Sequence, residues 1–306
     1  MTSEGAAGPV REFPLSGANL PPALRYLEAR EAREGTAPGR SDEVKTPRPA
    51  ATVLLLQPAP GGADLQVFMQ SRVAAMQFAP GVTVFPGGGF DPRDADPGLP
   101  MSGPGLDWWS QRLGCEPELA RGLLAAACRE VFEECGVLLV GSVSGSPGSS
   151  VAELFGDAEA AARARAQLTD GELSLTEVLR SHALELRSEL LTPFARWITP
   201  AYHPRIYDTV LFLARMPAGQ HADGESTETE IAGWVRPADA LRDRAEGRLT
   251  MLTPTVVALE RIDPPSGVAV TDWVAELQGR EWNMTPVQPQ LVRGPDGTPT
   301  LICEVP

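Results

Sequence analysis

Apolar positions along the chain change period several times, and each change marks an element. The run Ala51-Thr52-Val53-Leu54-Leu55-Leu56 is almost continuously apolar and too short for a helix, so it predicts a buried strand. Pro58-Ala59-Pro60-Gly61-Gly62 supplies a turn, and Leu65 to Gln70 then alternates as a second strand, which together predict a hairpin. Val82 to Phe85 reads as a third short strand running into a turn at Gly87-Gly88-Gly89. From Pro117 the spacing becomes helical: Pro117 suits a first helical position, Cys128, Val131, Phe132 and Cys135 form an apolar stripe, and Gly136 is placed to stop the helix. Two more helical patterns lie between Val151 and Leu190, one Ala/Arg-rich and one centred on Leu175 to Leu186. Val210 to Leu213 predicts a core strand within Arg205 to Arg215, and Ile231 to Val235 another. Helices are expected over Ala238 to Glu246 and Thr253 to Ile262. Beyond these, Trp273 to Gln278 predicts a helix, followed by two strands across Gly294-Pro295-Asp296-Gly297.

The polar stretches divide the chain. Residues 1–46 are rich in Pro, Gly and charge, with one short helical pattern over Pro22 to Glu34, and read as a flexible tail or docking arm. A domain is expected over 47–262, interrupted by a loop insertion at about 91–116 and a helical one at about 141–190, with a C-terminal extension over 263–306. Trp108 and Trp109 stand out in the first insertion and either cap a pocket or anchor the loop. Residues 141–150 read as a Gly/Ser linker.

Composition narrows the function classes. A formal net charge of −14 argues against nucleic-acid and anionic-membrane partners, but not against a small phosphorylated substrate. No run is long and apolar enough to predict a transmembrane helix, and no secretory signal pattern opens the chain. The four cysteines, Cys115, Cys128, Cys135 and Cys303, lack metal-site spacing and read as reduced thiols of a cytoplasmic protein. Only one of the 26 basic residues, Lys45, is lysine, a bias that fits a GC-rich genome. A homodimer is compatible with the sequence.

The strongest chemical signal is Arg129-Glu130-Val131-Phe132-Glu133-Glu134-Cys135-Gly136-Val137, downstream of Phe85-Pro86-Gly87-Gly88. At helical spacing Glu130 faces Glu133 and Glu134, and each like-charged pair costs about a few tenths of a kcal/mol. A hard divalent cation would turn that repulsion into binding. Arg129 and Glu133 have the spacing of an i, i+4 ion pair.

This segment resembles the Nudix box: Gly, five residues, Glu, seven residues, then Arg-Glu-apolar-any-Glu-Glu-any-Gly-apolar. The second half matches at every fixed position from Arg129 to Val137. Gly88 is the natural first glycine, but Arg129 follows it by 41 positions rather than 14, an insertion of 27 residues. Counted back from Arg129, the box Glu is replaced by Arg121. A split box is similar to that of the branch holding the animal peroxisomal coenzyme A diphosphatase. Leu191-Thr192-Pro193-Phe194, Trp197-Ile198-Thr199-Pro200 and Arg205-Ile206-Tyr207-Asp208-Thr209 add to that likeness. So does part of the stretch that coenzyme A-cleaving members carry ahead of FPGG: Arg72 and Gly81 are in place, and Gln77 stands where a second Arg belongs.

The resemblance implies a Nudix-type α/β/α sandwich with a mixed sheet. It implies metal-dependent hydrolysis of a pyrophosphate bond in a nucleoside-diphosphate-linked substrate. Glu130, Glu133, Glu134 and the Gly88 carbonyl would hold Mg²⁺ or Mn²⁺, with Arg129 orienting Glu133. A loop carboxylate before the last sheet strand would be Glu230 first and Glu228 second, with Glu225 nearby, unless that acidic loop is simply solvated. Coenzyme A or acyl-coenzyme A is the preferred substrate, giving 3′,5′-ADP and (acyl-)phosphopantetheine; ADP-ribose, NADH or a nucleoside triphosphate are alternatives. A ligand sensor without turnover is the alternative of another class. Arg72 would meet the 3′-phosphate or a surface carboxylate, and Arg205 and Arg196 are candidates for phosphate contact. Tyr202 and Tyr207 stack on a base or pack in the core, and His203 reads as structural.

Overall fold

The computed structural model describes residues 8–15, 46–72, 81–142, 150–203, 205–224 and 229–305. In chain order its strands are β1 (Val10–Pro14), β2 (Arg48–Pro58), β3 (Leu65–Arg72), β4 (Thr83–Val84), β5 (Gly87–Gly89), β6 (Met101–Ser102) and β7 (Val140–Ser142). They continue with β8 (Leu184–Arg187), β9 (Leu191–Ile198), β10 (Tyr207–Arg215), β11 (Thr229–Val235), β12 (Gln290–Arg293) and β13 (Pro299–Glu304). The helices are α1 (Leu106–Leu113), α2 (Pro117–Cys135), α3 (Val151–Phe155), α4 (Ala158–Thr169) and α5 (Leu175–Ser181), then α6 (Pro237–Ala245), α7 (Thr253–Ile262) and α8 (Val270–Gly279).

The central sheet runs β11-β3-β2-β10-β9, with β4 on β3 and β5 on β2. Only β2 and β10 pair in parallel within it, so the sheet is mixed. The middle of strand β2, Ala50 to Leu56, is apolar except for Thr52 because both its faces are covered. Ala51, Val53 and Leu55 pack with Phe68, Phe212 and the buried stripe of α2, together with residues of α1 and α3 to α5. Leu54 and Leu56 pack with Val67, Leu211 and Leu213 against α7 and α8. The expected α/β/α layers are therefore present, with α2 clamped on one face of the two-strand centre. No described helix is long and apolar enough to cross a membrane.

Several details depart from the expectations. Gly87-Gly88-Gly89 is a strand rather than a turn: it pairs antiparallel with Thr52, Ala51 and Ala50. Gly87 adopts φ +153, and a Cβ there would collide with the Ala51 carbonyl and the Thr52 backbone, so only glycine lets the two strands close up. The stretch 91–116 is not a plain loop. It contains α1, whose Trp109 and Leu113 are buried while Trp108 stays 47% exposed, so Trp109 anchors the segment. Proline and glycine on both sides of α1 hide its helical spacing in the sequence. The second helical pattern stops at Ser181, and Leu184–Arg187 instead pairs with β6 and β7 in a small third sheet. Strand β9 was hidden by Pro193, which sits where the register with β10 shifts between Leu211 and Phe212. Of the linker, 143–149 lie outside the described residues, as does Pro22 to Glu34.

Part of the N-terminal arm is ordered. Val10–Pro14 pairs antiparallel with β13, and Phe13 is buried against Leu301 and the cluster under α7 and α8. Replacing Phe13 with Ala is expected to lower stability by about 3 kcal/mol, read as the shift of a urea unfolding midpoint. An unchanged midpoint would mean that β1 does not hold the C-terminal extension in place.

Candidate active site

Helix α2 buries Cys128, Val131, Phe132 and Cys135 against the sheet, which turns Glu130 and Glu134 toward β5 and β3 and leaves Glu133 beside Arg129. Glu134 is tied to both strands. Its Oε2 accepts from the Gly87 backbone N–H at 2.8 Å and from Nε2 of Gln70, a nearly fully buried β3 residue, at 2.6 Å. Glu130 lies against Gly88 so closely that a Cβ on that glycine would sit 2.5 Å from its Oε1. The glycine strand therefore does two jobs: it approaches the helix where no side chain fits, and it donates a backbone hydrogen bond to a carboxylate.

Arg129 gathers the rest. Its Nε and Nη2 hold both oxygens of Asp94 at 3.0 Å, Nη2 also donates to the Gly89 carbonyl at 2.8 Å, and Nη1 donates to Glu130 at 2.7 Å. Glu133, the partner expected from helical spacing, is only reached at 3.4 Å. The reason is reach and burial: Asp94, with a side chain 2% exposed, offers a two-armed acceptor that outcompetes a neighbour on the same helix.

Asp94 also corrects the reading of the box. It lies six positions beyond Gly88, with five residues between, at the position the box gives to Glu. Counting forward from the glycine rather than back from Arg129 would have found it. Arg121 is not its counterpart; it donates instead to the Ala95 carbonyl at 3.3 Å. The extra residues thus fall between Asp94 and Arg129. Asp94 is fixed in turn by a 3₁₀ turn, Pro92–Ala95, in which it accepts from the Asp91 N–H at 2.9 Å.

Among solved structures the chain is similar to a NUDIX hydrolase from Alicyclobacillus acidocaldarius, at 28% identity and a TM-score of 0.55, over 71% of this chain and 91% of that one. More distant are a MutT NUDIX hydrolase from Burkholderia pseudomallei (15% identity, TM-score 0.35, 71% and 98% of the two chains) and the NUDIX domain of Shewanella oneidensis NrtR complexed with ADP ribose (12%, 0.37, 76% and 95%). No family model and no curated protein matches the chain. The chain is an enzyme of the Nudix hydrolase type.

Electrostatics mark the Nudix helix as short of positive charge. Burial, with Glu130 and Asp94 close by, pushes the Glu133 carboxyl up to about 7, and Arg129 only partly counters it. Burial pulls the Arg129 guanidinium down, yet Glu130, Asp94 and Glu133 outweigh that and raise it overall. The donor set, three carboxylates beside a strand carbonyl, fits a hard divalent cation by chemistry. Among the described residues, however, no three acidic, His or Cys side chains already enclose a metal position. Arg129 bridges Glu130 and Glu133 in this arrangement.

The other expected site residues are scattered. Glu230 lies in β11 where its register with β3 shifts between Thr229 and Ile231, and Arg72 pairs with Thr229 across that shift. Gln77, Glu225 and Glu228 lie outside the described residues. Arg196 is engaged two-armed by Asp208 at 2.8 and 2.7 Å and donates to the Leu113 carbonyl at 3.1 Å, which ties β9 to β10 and to the end of α1. Tyr202 packs against the cluster on the opposite sheet face from the Nudix helix, and its burial raises the phenol to about 12. Arg205 is exposed, in the β9–β10 loop beside the start of β2, the end of the sheet where Gly89 pairs with Ala50. His203 Nδ1 lies 3.0 Å from the Arg205 carbonyl within the same loop, and Tyr207 begins β10.

Asp94→Ala leaves the Arg129 guanidinium buried without its two-armed partner and is expected to cost about 3 kcal/mol in denaturant unfolding. Arg121→Ala removes one long hydrogen bond and is expected to cost at most about 1 kcal/mol. Equal losses for the two would undo the assignment of Asp94 to the box position.

Proposed function

We propose that the enzyme hydrolyses a pyrophosphate bond in a nucleoside-diphosphate-linked substrate with the help of Mg²⁺ or Mn²⁺. The observation that carries this reading is the convergence of Gly88, Asp94, Arg129, Glu130 and Glu134 on one buried polar junction. Glu130, Glu133, Glu134 and the Gly88 carbonyl would hold the ion. When bound, the ion supplies Lewis acidity to the phosphate oxygens and lowers the pKa of a coordinated water. The chain's own residues do the rest. Gln70 and Gly87 fix Glu134; Arg129 and Asp94 fix Glu130 and hold the helix against β5. Glu230, at the β11 register shift, is the candidate additional ligand or base. Water adds to one phosphorus, the P–O bond to the bridging oxygen breaks, and two phosphate monoesters leave.

Coenzyme A or acyl-coenzyme A is the preferred substrate, with 3′,5′-ADP and (acyl-)phosphopantetheine as products. Its support is the split box and the Arg72…Gly81…Phe85-Pro86-Gly87-Gly88 stretch. Arg205 is the first candidate for phosphate contact because it stands exposed at the β5 end of the sheet; Arg196 is committed to Asp208 and Tyr202 to the far-face core.

Glu134→Gln is expected to lower kcat with Mg²⁺ by at least about 100-fold, the upper end of losses seen for partners behind a metal ligand. The assay is a panel of coenzyme A, ADP-ribose, NADH and nucleoside triphosphates, with products identified by mass. Turnover undiminished in the variant overturns the metal-site reading. Brisk ADP-ribose or NADH cleavage with coenzyme A untouched overturns the substrate. Tight nucleotide binding with no turnover of any member points to a sensor.

A further inference from the structure

Helix α2 ends at the metal-site carboxylates, and its exposed carbonyls there are met by two segments far away in sequence. A helix leaves its last four carbonyls without intrahelical partners. Here the Gly136 N–H, in the left-handed conformation at φ +67, bonds the Phe132 carbonyl at 3.0 Å. The Arg165 Nε of α4 donates to the Glu133 carbonyl at 3.1 Å, and the Asp223 N–H donates to the Cys135 carbonyl at 2.9 Å. Arg165 and Asp223 then grip each other two-armed, at 2.8 and 2.9 Å. The pair lies directly over the helix stop: a Cβ on Gly136 would sit 2.6 Å from Asp223 Oδ2 and 3.0 Å from Arg165 Nη1.

Both partners are anchored. Helix α4 packs into the α2 core through Ala161 and Ala164, and Phe155 of the neighbouring α3 stacks on Phe132 at 5.8 Å. The 216–224 segment is fastened by Gln220, whose amide exchanges two hydrogen bonds with Leu138, at 2.8 and 2.9 Å, just beyond the helix stop. A guanidinium at a helix C-terminus also opposes the negative end of the helix dipole, where Glu133 and Glu134 crowd more negative charge.

We infer that the Arg165–Asp223 pair is a positioning latch that sets the last turn of the Nudix helix and thereby the affinity of Glu133 and Glu134 for a divalent cation. This rests on the metal-site reading proposed above. The helical insertion is, on this view, part of the metal site's scaffold. Removing the Arg165 side chain frees the Glu133 carbonyl and loosens the hold on Asp223 together.

The test is Mn²⁺ titration by calorimetry at a temperature where every variant is folded, on wild type, Arg165→Ala, Arg165→Lys, Asp223→Asn, the Arg165→Ala/Asp223→Asn double variant and Glu134→Gln. Arg165→Ala and Asp223→Asn are each expected to weaken Mn²⁺ binding roughly 10-fold, as partners behind metal ligands do. The double variant is expected to be no weaker than the worse single one, because the two act as a unit. Arg165→Lys keeps charge at the helix end without the fork and is expected to lie between wild type and Ala. Wild-type affinity in the variants, whatever their melting temperature, overturns the latch while leaving the metal site standing. If Arg165→Ala does not fold, wild-type affinity in Arg165→Lys overturns it equally. Wild type binding Mn²⁺ no better than Glu134→Gln overturns the metal-site reading and the latch with it.

Discussion

Arg129 has a side chain only 12% exposed, yet it stands among Asp94, Glu130 and the Gly89 carbonyl with a hydrogen bond to each. Three carboxylates cannot be packed at the end of one helix, half out of water, without a fixed positive charge among them. A guanidinium suits the position because its planar fork serves several acceptors at once and stays charged when buried. The approach of β5 to the helix, the placement of the 3₁₀ turn carrying Asp94 and the orientation of Glu130 all depend on that one group.

The glycine strand is the geometric counterpart of this charge arrangement. Gly87 and Gly88 pair with β2: a side chain on Gly87 would strike β2 itself and one on Gly88 the Glu130 carboxylate, while the Gly87 N–H reaches Glu134. Backbone and carboxylate are thereby brought within hydrogen-bond distance without an intervening residue. Gln70 completes the arrangement from the neighbouring strand, a buried amide whose partner is a carboxylate on a helix.

The insertions serve the box rather than merely interrupting it. The extra residues between Asp94 and Arg129 include α1, whose Trp109 is buried edge-on to Phe212 of the central sheet. The segment after β7 carries α4, whose Arg165 reaches the far end of the box helix. The start of that helix is packed by α1, which immediately precedes it, and its end is braced by a segment far along the chain.

The sequence alone determined single elements and the acidic cluster, because both depend on local periodicity: a buried apolar strand at 51–56, a helix from Pro117 to a stop at Gly136, and Glu130, Glu133 and Glu134 on its polar side; the α/β/α layers were implied only by the resemblance to the Nudix box. It misread what depends on pairing at a distance. The glycine run looked like a turn because glycine favours turns; only its fit against Ala51 and Thr52 made it a strand. Strand β9 was concealed by Pro193, which the sheet tolerates at a register shift. Asp94 was legible from Gly88 but not from Arg129, since an insertion destroys spacing on one side only. Gln70, Asp223 and Arg165 carried no signal at all, because an ordinary polar side chain acquires its role only when the fold buries it beside a particular partner. The same reason moved Arg196 from a candidate phosphate contact to a brace: which carboxylate an arginine meets is decided by tertiary contact, where burial makes a two-armed pair far stronger than helical or sequence proximity can.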